Sequence, residues 1–182
     1  KVDLLESEDG VEWKYVTTMY KGEKVNETDI LFEGDSAVAL SRVEKWPRKT
    51  IVLRSKYPFK NWNAVKTDTI LQSPALIKYR GRIIASGRTF TQILKDKPFL
   101  PEYARTGIFL LEDNELKLLF ELPSAGDTAY PGMIALDEKR IAVSYYTSHL
   151  QYITRGDYIN NYRPRIQDFK PDIYLAVISI NF

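Results

Sequence analysis

The stretch GDTAYPGMIALDEKRIAVSYYTSH, residues 126–149, has the pattern of a strand, a short polar turn and a second strand. Tyr130 stands at the mouth of the first strand, beside an acidic Gly-Asp pair. The same layout occurs twice upstream, at Asn26–Arg42 and at Ser73–Arg88. Each copy has a polar residue before its first strand and a charged residue near the end of its second. A repeat that delivers one side chain per unit toward a common axis is typical of a β-propeller.

Strand patterns dominate the rest of the chain, and few segments keep a helical period for more than two turns. The predicted strands are Trp13–Met19, Asp29–Glu33, Ser36–Arg42, Thr50–Ser55, Ala75–Tyr79, Arg82–Thr89, Gly107–Glu112, Glu115–Glu121, Gly132–Ala135, Arg140–Tyr146 and Asp172–Ile180. They group into about three and a half four-stranded units, the number expected from a repeat of roughly 45–50 residues. We therefore predict an all-β fold, a partial propeller from a six-bladed parent. The chain forms one domain over residues 1–182, with a blade end at 1–25 and blades near 26–68, 69–123 and 124–182.

Such a number of blades cannot close a ring, and proteins pair, cover or charge the open edges of their sheets. We expect the missing blades to come from an N-terminal portion outside this sequence or from a second chain. The sequence opens within a pattern at Lys1 without a methionine, which is consistent with a trimmed start.

The composition narrows the class of protein. With 44% hydrophobic and 27% charged residues, the chain has the composition of a soluble globular protein, and it contains no apolar run long enough to span a bilayer. A net charge of +2 with scattered basic residues argues against nucleic acid as a partner. The absence of cysteine and the single histidine argue against thiolate and multi-histidine metal centres, and we expect no cofactor. The twelve tyrosines suit either a β core or a sugar-binding cleft.

Residues 7–13 have the spacing Ser-x-Asp-Gly-x-x-Trp. We expect Asp9 to accept backbone N–H groups across a turn, Gly10 to take a positive φ and Trp13 to pack under the hairpin. A second, imperfect copy lies at residues 55–62. This spacing resembles the Asp-box of sialidases and related propellers, in which the motif is structural and lies away from the active site.

With this motif in place, the repeats resemble the sialidase superfamily over nearly the whole chain. Glu27 and Arg42 resemble the glutamate beside the nucleophile and the second arginine of the carboxylate clamp. Arg88, at the end of the Ser73 repeat, resembles the third clamp arginine, and Tyr130 resembles the nucleophile. The resemblance implies a retaining glycoside hydrolase that acts on an acidic sugar in a glycan, of bacterial origin and secreted or periplasmic.

The chemistry explains these residue types. Sialidases use a tyrosine nucleophile in place of a second carboxylate. Because a free phenol has a pKa of about 10, Tyr130 needs a base, and Glu27 is the candidate. Arg42 and Arg88 would offer bidentate, permanently charged donors to the carboxylate of the sugar. Asp127 and His149 are further candidates for substrate binding.

The sequence also departs from the sialidase pattern. The segment with the first clamp arginine and the aspartate acid/base are both absent, so a non-catalytic carbohydrate-binding or protein-interaction propeller is the alternative. Tyr130 could be an ordinary strand aromatic, Glu27 a solvated loop carboxylate and the arginines salt-bridged strand ends. The catalytic hypothesis predicts that the Glu27 carboxylate lies about 2.6–3.2 Å from the Tyr130 hydroxyl, or one water away.

Overall fold

The computed structural model describes residues 1–90, 103–148 and 171–180 of the chain. These ranges contain thirteen strands, so the all-β prediction is confirmed for them. The strands are β1 (Val2–Glu6), β2 (Lys14–Tyr20), β3 (Val25–Glu33), β4 (Ser36–Val43), β5 (Ile51–Lys56), β6 (Trp62–Lys66), β7 (Gln72–Tyr79), β8 (Arg82–Phe90), β9 (Ala104–Glu112), β10 (Glu115–Leu122), β11 (Thr128–Ala135), β12 (Arg140–Thr147) and β13 (Asp172–Ser179). No helix in the described ranges is long and apolar enough to cross a membrane.

The strands form four antiparallel sheets in which neighbours in sequence are neighbours in space. We call β1–β2 the hairpin sheet, β3–β6 the first sheet, β7–β10 the second sheet and β11–β13 the third sheet. The leading strands of the last three sheets contact each other in turn, β3 against β7 and β7 against β11. Up-and-down sheets whose leading strands lie together are the arrangement of a propeller.

Three apolar layers hold the sheets face to face. Alternate side chains of a strand point to opposite faces, so the first and second sheets each contribute to two layers. The layer between hairpin and first sheets includes Met19 and Leu53, the next includes Leu40 and Phe109, and the third includes Ile84 and Val143. The far face of the third sheet is apolar and uncovered in the described ranges, and the exposed fraction of Ile173 there is 84%.

Each leading strand carries a β-bulge at the same end. The pairing register shifts between Val25 and Thr28, between Gln72 and Ala75, and between Ala129 and Gly132. Two residues of the leading strand therefore lie opposite one residue of its partner strand. The bulged pairs are Asn26-Glu27, Ser73-Pro74 and Tyr130-Pro131. Bulges commonly redirect side chains next to active sites, and these three gather the polar residues of the leading strands at one end of the sheets.

The predicted strands are largely correct in position but incomplete. The prediction omits β1 and β6, and that omission is wrong. Both strands are short and neither shows a clear apolar–polar alternation, so the sequence pattern did not indicate them. The predicted starts of β3, β7 and β11 are three to four residues late. In each case the bulge interrupts the alternation on which the prediction depends.

The turn at residues 7–13 has the predicted hydrogen bonds but not the predicted packing. Asp9 Oδ1 accepts the N–H groups of Val11 and Glu12 at 2.8 and 2.9 Å, and Gly10 has a φ of 77°. The prediction that Trp13 packs under the hairpin is wrong, because the exposed fraction of its side chain is 60%. Trp13 directly precedes β2, at a position that neither the hairpin sheet nor the first sheet covers.

Candidate functional site

The carboxylate of Glu27, from the first sheet, is bound by side chains of the first, second and third sheets. Its Oε1 accepts hydrogen bonds from the Tyr130 hydroxyl at 2.6 Å and from Arg42 Nη1 at 2.7 Å. Its Oε2 accepts the backbone N–H of Ser73 at 3.0 Å and the Ser73 hydroxyl at 2.8 Å. The predicted distance between Glu27 and Tyr130 is confirmed.

The bulges explain why residues more than a hundred positions apart meet here. Glu27, Ser73 and Tyr130 each occupy the bulge of a different leading strand, and these strands lie side by side. Ser73 and Tyr130 adopt the left-handed region, with φ values of 50° and 47°. Such φ values are uncommon for residues other than glycine and are found where the surrounding structure enforces them, often at functional sites.

The environment of Glu27 favours its charged form. Partial burial raises the pKa of this carboxyl, but hydrogen bonds from Tyr130, Arg42 and Ser73, together with the charge of Arg42, outweigh it and lower the pKa from 4.5 to about 2. Glu27 is therefore an ionised acceptor at neutral pH. With a pKa this low, the resting carboxylate is a weak base.

Tyr130 is accessible and held neutral. Its side chain is 61% exposed, and its ring stacks on Tyr146 with centroids 6.1 Å apart. The hydrogen bond to Glu27, followed by burial and the Glu27 charge, raises the pKa of Tyr130, while the Ser73 hydroxyl and the Arg42 charge act in the opposite direction. The phenol is thus protonated at neutral pH, with its proton directed at a carboxylate.

Arg42 lies opposite the first bulge and is already paired. Its Nη1 contacts Glu27 Oε1 at 2.7 Å and its Nη2 contacts Glu44 at 3.0 Å. Only 15% of the side chain is exposed. The structure therefore brings Arg42 to the site in direct contact with the candidate base.

Arg88 forms a second cluster with Asp127 and Tyr146, and the Tyr146 ring stacks on Tyr130. Its Nε donates to the backbone carbonyl of Thr128, and its Nη2 contacts Asp127 Oδ1 at 3.0 Å and the Tyr146 hydroxyl at 3.3 Å. The Tyr146 hydroxyl also donates to Asp127 Oδ1 at 3.0 Å. Burial and the Asp127 charge raise the pKa of Tyr146 to about 12 although Arg88 opposes them, so this hydroxyl remains a donor at neutral pH.

Of the predicted site residues, the structure connects Glu27, Arg42 and Tyr130 directly, and Arg88 and Asp127 through Tyr146. His149 lies outside the described residues. The described residues include no group of three or more His, Cys, Asp or Glu side chains that could hold a metal ion.

Ser73 and Tyr146 belong to the site although the sequence did not indicate them as site residues. Ser73 could have been found from its position, because Ser73-Pro74 and Tyr130-Pro131 occupy equivalent places in their repeats. Tyr146 had no such signal: the adjacent Tyr145 is buried in the apolar layer, and only the strand alternation decides which of the two faces the site.

The lowered pKa of Glu27 predicts an acid dependence of stability. Because the folded-state pKa lies below the ordinary value, the stabilisation is complete above about pH 5 and is lost as the pH falls toward 2. A pKa shift of this size can contribute at most about 3 kcal/mol to the free energy of unfolding. Because solvent screens the charges, we expect a contribution of about 1–2 kcal/mol. The difference in unfolding free energy between wild type and Glu27→Gln should therefore shrink by that amount between pH 6 and pH 2.5.

Urea denaturation at stepped pH measures this difference, and Glu8→Gln, at an exposed turn position, is the matched control. The control should show a constant difference from wild type over the same range. A pH-independent difference for Glu27→Gln would contradict the assignment of Glu27 as a carboxylate stabilised by its partners.

Comparison with known proteins bears on the fold only. No family model matches the chain, and no curated protein matches it. Among solved structures, a protein of unknown function from Dyadobacter fermentans is similar with a TM-score of 0.62 and 23% identity. That match covers 80% of this chain and 41% of the other. A GH32 β-fructofuranosidase from Bombyx mori, a variant in complex with sucrose, matches with a TM-score of 0.49 and 18% identity, over 79% of this chain and 35% of its own. The chain thus spans less than half the length of either structure.

Proposed function

We propose that the protein is a retaining, sialidase-like glycoside hydrolase with Tyr130 as its nucleophile and Glu27 as the base of that nucleophile, acting on an acidic sugar in a glycan. The observation that carries this proposal is the 2.6 Å hydrogen bond from an exposed tyrosine to an ionised glutamate. A nucleophile within hydrogen-bond reach of its base, with the base itself oriented by further groups, is the arrangement that covalent catalysis requires.

The reaction would proceed in two displacements at the anomeric carbon. Tyr130 Oη attacks that carbon and its proton passes to Glu27 Oε1, while the bond to the aglycone oxygen breaks. Water then attacks the same carbon, the bond to Tyr130 Oη breaks, and Glu27 returns the proton to the phenolate. A further carboxylic acid would protonate a poor leaving group in the first step and deprotonate the water in the second.

The arginines would hold the acidic group of the sugar. A guanidinium has five N–H donors, and the bonds that the protein makes to Arg42 and Arg88 leave some of them for a ligand. The Nη1 group of Arg88 takes part in none of the bonds described above. Asp127 and Glu44 would then tune the affinity by competing with the substrate for the same donors.

The proposal extends to the rest of the propeller. The apolar face of the third sheet includes Leu175 and Val177, and none of the described residues covers it. This face supports packing by another sheet, from an N-terminal portion or from a second chain. We also propose that the protein is bacterial. We propose that it is secreted or periplasmic, because glycan substrates occur outside the cytoplasm.

An activity screen with nitrophenyl glycosides of acidic and neutral sugars tests the function. Nitrophenolate leaves without protonation, so the first displacement, which releases it, needs no general acid. We expect hydrolysis of an acidic glycoside with retention of configuration, and a fluorinated analogue of that substrate should leave a covalent adduct on Tyr130, detected by peptide mass spectrometry. Inversion, or an adduct on another residue, would overturn the mechanism.

The alternative is a propeller that binds carbohydrate without hydrolysing it. The pKa of about 2 for Glu27 favours this alternative, because a carboxylate so strongly stabilised is a poor base. Glycan binding without turnover of any activated glycoside would be the result that distinguishes it.

A further inference from the structure

Ser73 is the least expected member of the site. It lies in the bulge of the second sheet, only 4% exposed, with a φ of 50°. Its backbone N–H and its hydroxyl both donate hydrogen bonds to Glu27 Oε2. A serine held in an unfavourable backbone conformation, with both donors on one oxygen, indicates a specific task.

The task follows from the geometry of the carboxylate. A glutamate side chain rotates readily about its last bond, and at intermediate angles neither oxygen would point at Tyr130. In the structure the two oxygens have separate partners: Oε2 is bound by Ser73 alone, and Oε1 by Tyr130 and Arg42. The second sheet thus fixes the orientation of a side chain from the first sheet toward a side chain from the third.

We propose that Ser73 is a positioning residue of this site: its hydroxyl and amide hold Glu27 Oε2 so that Oε1 is the oxygen that receives the Tyr130 proton. The inference rests on the proposed function and adds a residue to it. A misdirected base lowers the rate of proton transfer without changing how the sugar is bound.

The Ser73 hydroxyl also affects the protonation of both groups, although the positioning role rests on its geometry. The hydrogen bond from the Ser73 hydroxyl is one of those that lower the pKa of Glu27. The hydroxyl also favours the ionised form of Tyr130, against the larger opposing effect of Glu27. Ser73 therefore favours the state in which the glutamate is charged before attack and the phenolate is released after it.

Ser73→Gly is the sharpest test because it removes the hydroxymethyl side chain and suits the local backbone conformation. Glycine keeps the backbone N–H and adopts a positive φ without strain. We expect kcat on the nitrophenyl substrate to fall about tenfold or more, the size expected for losing one hydrogen bond to a charged group, with KM within about twofold of wild type. The acid limb of the pH–rate profile should move to higher pH, since Glu27 loses one of the bonds that lower its pKa.

Ser55→Gly is the matched control. Ser55 is also a buried strand serine, but its hydroxyl bonds Asn61 O at the opposite end of the first sheet. This variant should keep the wild-type kcat and pH profile. If Ser73→Gly does the same while remaining folded, the inference is overturned.

A second measurement separates this inference from the proposed function. Carbon-13 NMR of the Glu27 carboxyl during an acid titration needs no turnover, and Ser73→Gly should raise its pKa relative to wild type. An active Tyr130→Phe variant would overturn the proposed mechanism, and the titration would still decide the role of Ser73. An unchanged Glu27 titration in Ser73→Gly would overturn the positioning role even if Tyr130 proves essential.

Discussion

Tyr130→Phe should lower kcat/KM on an activated glycoside by about a thousandfold or more. The change removes the oxygen that we propose as the nucleophile, and loss of a nucleophile is among the largest effects in enzyme variants. The phenylalanine ring can still stack on Tyr146, so the fold and most of the sugar contacts should remain. Steady-state kinetics with a nitrophenyl substrate measure the loss.

Tyr15→Phe is the matched control for this prediction. Tyr15 lies in the hairpin sheet, its exposed fraction of 62% equals that of Tyr130 within a per cent, and its hydroxyl bonds Thr18. We expect wild-type kinetics from this variant. Retention of more than a tenth of the activity in Tyr130→Phe would rule out the phenol as nucleophile and assign that role to another group.

Gly87→Ala should destabilise the fold by about 2–3 kcal/mol. Gly87 is the single residue opposite the Ser73-Pro74 bulge, and it faces Gly107 on the next strand. A Cβ at Gly87 would lie 2.6 Å from the backbone oxygen of Gln72 and 2.9 Å from the Leu71 side chain. Backbone cannot yield as a flexible side chain can, so the bulge itself must shift. Urea denaturation at neutral pH measures the change.

Gly132→Ala provides the comparison. It also lies in a strand after a bulge, but its added Cβ would meet only the Ser144 hydroxyl oxygen, at 2.9 Å. That hydroxyl can rotate away, and alanine costs less chain entropy than glycine, so we expect a change below about 1 kcal/mol. Equal destabilisation of the two variants would show that the bulge of the second sheet is not tightly packed.

Much of the fold could be predicted from the sequence because its strands are apolar or alternating segments and its turns are short and polar. The apolar runs in Ser36–Arg42 and Arg140–Tyr146, for example, predict β4 and β12 nearly to the residue. The pattern fails at the bulges, where two residues of a leading strand occupy the space of one. The predicted starts at Asp29, Ala75 and Gly132 lie at or just past the bulges, where regular pairing resumes.

The site was partly predictable for a related reason. Equivalent positions in the repeats indicated Glu27 and Tyr130, and their contact is confirmed. The partners of the arginines could not be predicted, because pairing of Arg88 with Asp127 and Tyr146 depends on how the second and third sheets pack. The backbone φ of Ser73 was equally hidden, since nothing in a Ser-Pro pair specifies a left-handed residue.

The candidate site residues lie at the three bulges, whereas the residues that hold the sheets together lie in the apolar layers. Regular pairing resumes on both sides of each bulge, and the apolar layers between the sheets do not include Asn26, Glu27, Ser73 or Tyr130. A lineage carrying this scaffold could therefore acquire a new nucleophile, base or ligand by exchanging a few bulge residues, while selection on the layers kept the sheets unchanged. Different activities could then evolve on the same sheets by successive replacement at positions where the strands already depart from regularity.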